Sequence, residues 1–372
     1  MPGAVPRGYG FPNTASLVLA LRDRGHDVSV FALDRDVDRP SVHRGDGLTI
    51  YVSPMRARAR DRALDLFAAE RRGLAEAMGE SGCQVVHAHW TYEFALAAQQ
   101  SRLPTVVTAH DEPLMVARQN RHLYWWIRAV MAARAVHGSR TLTAVAPTVA
   151  THLRRWYGYR RPITVIPNGL PDEILHRTAP SAAAPDVPTF VTIAHGWSRL
   201  KNVETALRAF ALFRREHPGA RYLLFGAGLG PGEEGQAYAE AAGVADGCEF
   251  RGQVAREALM DVLTGGVTAL LHPSRGEAHS LAVAEAMAAG LCVIGGARSG
   301  GVPWTLDHGR AGLLVDVDDP RALAEGMSHV VADPGLRTSL AHAARDRAAR
   351  DFAMSRVVER YEALYERSAG GL

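Results

Sequence analysis

Along residues 27–33, DVSVFAL, apolar side chains run with few breaks, and similar runs recur at 84–89 (QVVHAH), 105–110 (TVVTAH), 143–147 (TAVAP) and 163–167 (ITVIP). Short, valine-rich runs of this kind suit parallel strands buried on both faces. Between them lie stretches with helical spacing, such as 14–24 and 120–136. This alternation predicts a doubly wound α/β domain. Residues 178–188, TAPSAAAPDVP, then carry three prolines and four alanines without periodicity and read as a linker. The alternation restarts at 190–196, with further strand-like runs at 221–226, 249–252, 268–274, 291–296 and 312–315. Helical patterns fall at 203–216, 321–332 and 335–350, and an amphipathic helix closes the chain at 351–368. The expected layout is a first domain over 1–177, the linker, a second domain over 189–350, and a C-terminal helix over 351–372. A domain of the first type opens on a buried strand. Here the chain enters its first helix near Thr14 directly from PGAVPRGYGFPN. The expectation is a start that lies too late by about one strand of 5–6 residues.

At 372 residues the chain is long enough for two cores, and 47% apolar with 22% charged residues describes an ordinary globular protein. No apolar run reaches the ~18 residues of a spanning helix, and the opening residues lack the apolar centre of a secretion signal. The three cysteines, Cys83, Cys248 and Cys292, are odd in number and widely spaced, which fits a reducing compartment. These features predict a cytoplasmic protein. Up to residue 180 there are 23 basic against 16 acidic side chains, and beyond it 19 against 23. The N-terminal half is therefore the side to meet an acidic partner, an anionic lipid surface or a phosphorylated acceptor.

Of the 42 basic residues one alone is lysine, Lys201. Arginine supplies generic surface charge everywhere else, and a compact ammonium is not interchangeable with a guanidinium against a phosphate oxygen. Lys201 is a candidate site residue on that ground alone. The densest motif is HPSRGEAHSLAVAEAMAAGLCVIGG, 272–296. A strand runs into a short loop and then a helix beginning near Ser280, at the strand edge where α/β ligands bind. Ser280 suits an N-cap, and the free N–H groups of 279–282 suit a diphosphate. Glu277 and Glu285 bracket the helix start, where carboxylates accept hydrogen bonds from ligand hydroxyls.

That segment resembles the E-x7-E signature of family 4 glycosyltransferases. The resemblance runs through RGHDVSVFAL, VVHAHW, VVTAHD, VIPNG, KNVETALRAF, YLLFGAG, FRGQV, GGVP and GRAGLLVDVDDPRALA in order along nearly the whole chain. It implies the GT-B fold: two Rossmann-like doubly wound domains facing each other across a donor-binding cleft, with the last helix returning to the N-terminal domain. It also implies transfer of a sugar from a nucleotide-diphosphate donor, a UDP-sugar on family frequency, to an acceptor hydroxyl with retention of configuration and without a metal or other cofactor. The implied setting is polysaccharide, glycolipid or secondary-metabolite glycosylation. Glu285 would hold the donor ribose and Glu277 the transferred sugar. The backbone of Ala278, His279, Ser280 and Leu281 would cradle the phosphates, with Lys201 on the diphosphate. Gln253 and Val254 fall where the base binds, His110 points at the donor sugar, and Gly8 and Gly10 fall near the glycine loop. Three positions depart from the pattern. Gly196 stands where an arginine is common, with Arg199 as a substitute; His279 replaces an aromatic; Trp304 follows GGVP in place of glutamate. The implied partners are the nucleotide sugar and a hydroxyl acceptor, phosphorylated or lipid-linked, and not nucleic acid. The runner-up readings are a non-catalytic nucleotide-sugar-binding subunit and a GT-B-like epimerase or phosphorylase.

Other features read as structure. The D-x-D strings of LDRDVD (33–38) are solvated charge, His87, His89 and His110 lack an acidic companion for a metal, and GAGLGPGEE (226–234) is a turn before a helix. The stretch 118–140, basic and with Tyr124, Trp125 and Trp126 adjacent, reads as a helix packed on the sheet. Peripheral contact with the inner face of a membrane is its other reading.

Overall fold

The computed structural model describes residues 12–120, 122–177 and 187–370. Gly8, Gly10, the expected position of a missing first strand and most of the expected linker lie outside these residues. The described chain forms two compact units. One holds the residues up to Gly169 together with those from Met354 onward, and the other Leu170–Ala353. The first boundary thus falls earlier than the expected 177. Leu170 bridges to Ala353, Ile174 is buried in the second unit's core, and the Arg345 guanidinium donates to the carbonyls of Leu175 and Arg177. Residues 170–177 are held there by packing that a composition shift does not reveal. The last helix starts at Met354, after a π-helical turn over Ala348–Phe352 that stays with the second unit.

The first unit contains β1 (Val28–Asp34), β2 (Ser41–Gly45), β3 (Leu48–Pro54), β4 (Val86–His89), β5 (Thr105–Ala109), β6 (Thr141–Ala144) and β7 (Ile163–Val165). Its described strands form two sheets, β1-β3-β2 and β4-β5-β6-β7, rather than the single sheet expected. β4 to β7 are parallel. The β2–β3 hairpin, antiparallel with Gly45 opposite Leu48, was not anticipated, although Asp46-Gly47 between two strand-like runs is a hairpin signal. The helices Ala68–Glu80 and Glu93–Gln100 pack together over β1, β3 and β4. The helices Pro12–Asp23 and Met354–Ala369 pack on each other through Leu17, Leu21, Val357, Val358 and Tyr361.

The second unit contains β8 (Thr189–Ile193), β9 (Arg221–Phe225), β10 (Cys248–Gly252), β11 (Ala269–His272), β12 (Val293–Gly296) and β13 (Leu313–Val315). They form one parallel sheet in the order β10-β9-β8-β11-β12-β13. Alternate side chains enter separate cores: Val191, Leu223, Leu270 and Val293 in one, Phe190, Tyr222, Leu271 and Ile294 in the other. This two-sided burial is why these strands read as unbroken apolar runs. With every strand parallel, the loops after β8, β9, β10, β11 and β12 all emerge at one edge, where ligands of such sheets bind.

Candidate active site

The loop after β8 carries Gly196, Arg199 and Lys201. Asn202, in the left-handed region at φ 55°, donates its side-chain amide to the carbonyls of Pro273 (3.1 Å) and Val317 (2.7 Å). The Arg275 amide donates to the Leu200 carbonyl at 2.8 Å, and the Arg275 guanidinium donates to the Arg199 carbonyl. These bonds tie the β8 loop to the β11 loop. Lys201 Nζ consequently sits 2.7 Å from Glu277 Oε1, with His272 Nε2 3.7 Å from the same oxygen. Burial alone would raise the Glu277 carboxyl. Lys201, His272 and hydrogen bonds from Lys201 and Ser274 instead hold it below the usual carboxylate range. Burial drives His272 down to about 4, so that ring is neutral at pH 7.

The helix Leu281–Ala288 begins as the motif predicts. Ser280 is its N-cap, with Oγ accepting from the Val283 amide at 3.4 Å. The loop before it is pinned from the β12 side. Gly301 N–H donates to the Glu277 carbonyl at 2.6 Å, and a Cβ on Gly301 would meet the Ala278 carbonyl oxygen at 1.8 Å. The glycine pair of GGVP is therefore required by close backbone approach. Glu285, one turn into the helix, pairs with Arg256 at 2.6 Å. Burial raises its carboxyl and Arg256 opposes the rise without cancelling it. Gln253 and Val254 are exposed just beyond β10. Arg199 is exposed and makes no ion pair among the described residues; Gly196, at φ 94°, donates its amide to the Ala227 carbonyl.

Two of the departures from the family pattern meet in space. The buried His279 ring lies 4.9 Å from Phe352 and 6.0 Å from Trp304. Arg347 stacks on Trp304, donates to its carbonyl at 2.8 Å and pairs with Asp307. Burial, with Arg347 nearby, lowers His279 to about 3. An aromatic wall therefore backs the loop at the positions where the pattern changes.

In the first unit, His110 follows β5 directly. His110 Nε2 and His89 Nδ1 share a 2.8 Å hydrogen bond, and the Trp90 ring stands 4.8 Å from His110. His87 lies between the Tyr365 and Thr108 hydroxyls, at 2.7 Å from each. Burial holds His89 down to about 4 and His87 well below its usual value. Among the described residues no group of three or more His, Cys, Asp or Glu is placed to hold a metal ion. The first aspartate of LDRDVD is not solvated charge: Asp34 ends β1, is buried, and its Oδ1 accepts from the Asp36 amide. The stretch 118–140 divides into the helices Pro113–Asn120 and Leu123–Gly138, and Tyr124 and Trp125 line a cavity of about 210 Å³ beside Trp90 and Asp111. Sequence reasoning missed Arg256, His272 and this cavity. Arg256 stands three residues after Gln253, and proximity to the expected base site was the available signal. The cavity's residues come from many segments and left none.

The model described as Glycosyltransferase Family 4 matches residues 14–174, and that described as Glycosyl transferases group 1 matches residues 179–347. A D-inositol 3-phosphate glycosyltransferase of Acidothermus cellulolyticus is 28% identical over 92% of this chain and 82% of the relative. Sucrose-phosphate synthase from Thermosynechococcus elongatus superposes with a TM-score of 0.80 at 21% identity, covering 99% of this chain and 97% of the other. Anabaena HepE, solved with UDP and glucose, superposes with a TM-score of 0.72 at 17% identity, covering 98% of each chain. The chain belongs to the family 4 glycosyltransferases and has the GT-B fold.

Proposed function

We propose that this enzyme transfers a glycosyl group from a UDP-sugar to an acceptor hydroxyl, with retention of configuration and without a metal. The observation that carries the reading is the Lys201–Glu277 pair, 2.7 Å, at the edge of a parallel sheet and beside the Ser280-capped helix. A diphosphate drawn to that helix end meets the one ammonium of the chain and the free N–H groups of the first turn. Lys201 then turns from Glu277 to a phosphate oxygen, and Glu277 accepts hydrogen bonds from hydroxyls of the sugar. Glu285 receives the ribose hydroxyls, Arg199 adds a second cation, and the 253–254 backbone meets the base. The bond from the anomeric carbon to the diphosphate breaks and a bond to the acceptor oxygen forms on the same face. The leaving phosphate oxygen takes the acceptor proton. Charge gathering on the diphosphate is stabilised by groups already in place, which is where such sites gain most of their rate. The UDP bound by HepE supports the choice of base.

Thermal shift against a panel of nucleotide diphosphates, with EDTA present, tests this. A ligand at a hundred times its Kd adds about 2.7 kcal/mol to stability. UDP should raise the melting temperature of the wild type and not that of Lys201→Ala. A well-folded wild type that responds to no nucleotide refutes the proposal.

No helix among the described residues is long and apolar enough to cross a membrane. The proposed setting is the cytoplasm, with peripheral contact through Leu123, Trp126 and Val130, which are exposed on one face of the helix Leu123–Gly138. Co-sedimentation with anionic vesicles that survives Leu123→Ser with Trp126→Ser removes that contact.

A further inference from the structure

β11 runs through the middle of its sheet, between β8 and β12, and its four residues are all buried. Leu270 enters one core and Leu271 the other. By that alternation the next position falls on the Leu270 side and calls for another apolar side chain. The chain places His272 there, 4% exposed. Its Nε2 is buried and has no hydrogen-bond partner among the described residues. Opposite it on β12 stands Gly295, which offers no side chain to bond. A bare ring nitrogen in a core costs stability that a leucine at the same place would not.

That nitrogen lies 3.7 Å from Glu277 Oε1, beyond hydrogen-bond distance, while Lys201 Nζ holds the same oxygen at 2.7 Å. Two donors converge on one acceptor, and one of them stands back. An ionised carboxylate only accepts, so the tautomer that suits the approach carries its proton on Nε2. A further donor to Glu277 is Ser274, 1% exposed. Its single hydroxyl proton is also contested by the Leu200 and Gly276 carbonyls, each at 3.3 Å. Arg275, the next residue, is committed to Asp318 and to the Arg199 carbonyl. Once Lys201 leaves for a phosphate oxygen, Glu277 keeps no ion-pair partner among the described residues except the His272 ring.

We propose that His272 is a positioning residue: it closes on Glu277 Oε1 when the donor diphosphate takes Lys201, and so holds that carboxylate in place for the sugar hydroxyls. Its use in turnover rests on the transferase reading above; its hold on Glu277 does not. A movement of less than ~1 Å brings Nε2 to hydrogen-bond distance. While Lys201 stays it repels charge on the ring, and Glu277 attracts it, so the departure of the ammonium strengthens the new bond. Without His272 a largely buried carboxylate is left with its desolvation unanswered at the moment it must bind sugar.

Thermal melts of the unliganded full chain at pH 7 use Lys201→Met in place of donor, since it takes the ammonium from the same oxygen. His272→Leu alone should shift the melting temperature by less than about 2 °C, because it removes a nitrogen that makes no hydrogen bond. In the Lys201→Met background the same change should lower it by at least about 3 °C, the loss expected with a hydrogen bond to a charged group. His272→Gln, whose amide nitrogen can stand where Nε2 stood, should recover most of that loss. A side chain that only fills space predicts equal shifts in both backgrounds and no recovery with glutamine. The second measurement is UDP binding by calorimetry. His272→Leu should weaken it at least about ten-fold in the wild-type background and less than about two-fold in Glu277→Gln, where no charge is stranded. A wild type that binds no UDP refutes the transferase reading, and the melts then decide the place of His272 by themselves. Equal melting shifts in the two backgrounds overturn the proposal, as does a UDP loss that is absent or is the same with and without Glu277→Gln. A Lys201→Met chain that folds with His272→Gln but not with His272→Leu supports it, and one that folds equally badly with both counts against it.

Discussion

Replacing Lys201 by methionine keeps the length of the side chain and removes its charge. Glu277 then remains as a carboxylate with its partner gone. At 2.7 Å the gross attraction is about 6 kcal/mol for an effective dielectric constant of ~20, and desolvation offsets much of it. Breaking such a pair from one side costs about 3 kcal/mol, the low end for buried pairs, because the two side chains keep 22% and 16% of their exposure. For a unit of this size the melting temperature should fall by about 6–12 °C at pH 7. The pH dependence identifies the cause. In the wild type the Glu277 carboxyl is held low, so its stabilisation is present above the unfolded value of about 4.3 and is lost as pH falls through the lower folded value. In Lys201→Met only His272 and the Ser274 hydrogen bond still oppose burial, so the carboxyl rises and its contribution is lost as pH rises. The gap between the two proteins should be full at pH 7 and should nearly close at pH 3. Adding Glu277→Gln should restore most of the melting temperature by removing the stranded charge. It should not restore UDP affinity, which falls roughly 10- to 100-fold with a lost charge-assisted contact. Thermal melts of the three proteins at both pH values, with and without UDP, supply every term. The same gap at pH 3 and pH 7 would refute the reasoning.

Gly301→Ala should push the Ala278 carbonyl aside and open the loop that carries Glu277. The expected result is loss of the UDP melting shift together with the flattened pH response of Lys201→Met, and a UDP shift of wild-type size would show the loop unmoved. Stability should also fall as pH drops from about 6.5 toward 4. His89, His152 and His272 are held down to about 4 and His279 to about 3, all chiefly by burial. Each therefore contributes stability that is full above the unfolded histidine value and lost through that window, at about 1.4 kcal/mol per unit. Asp111, raised to about 6 by burial, acts with the opposite sign and is outnumbered. Melting temperatures that stay level between pH 7 and pH 4.5 would contradict these assignments.

Where one short segment carries the whole instruction, it was legible. β8, β9 and β11 follow their apolar runs, the helix Val203–Glu216 spans the residues its periodicity marks, and Ser280 caps the helix the motif announces. Lys201 stood out because a chain built on arginine kept a single ammonium. Other features depend on what approaches from elsewhere. Residues 170–177 have no compositional mark, and they join the second unit because Leu170 and Ile174 are buried there. Tyr124, Trp125 and Trp126 read as one stretch packed on the sheet, with a membrane face as the other reading; Trp125 lines a cavity while Trp126 is exposed, since adjacent helical residues point about 100° apart and only packing selects which faces inward.

Period and composition are local properties, so the sequence by itself determined the alternation of strands and helices, the two-unit plan and the motif at the helix start. Charge balance at a site is a property of space. That Lys201 lies on Glu277, that Arg256 answers Glu285, and that Arg62 is buried with no carboxylate in ion-pair reach among the described residues were decided by the tertiary structure alone. The physical reason is that desolvation and Coulomb attraction depend on the neighbours folding brings within a few ångströms, and those come from segments far apart along the chain.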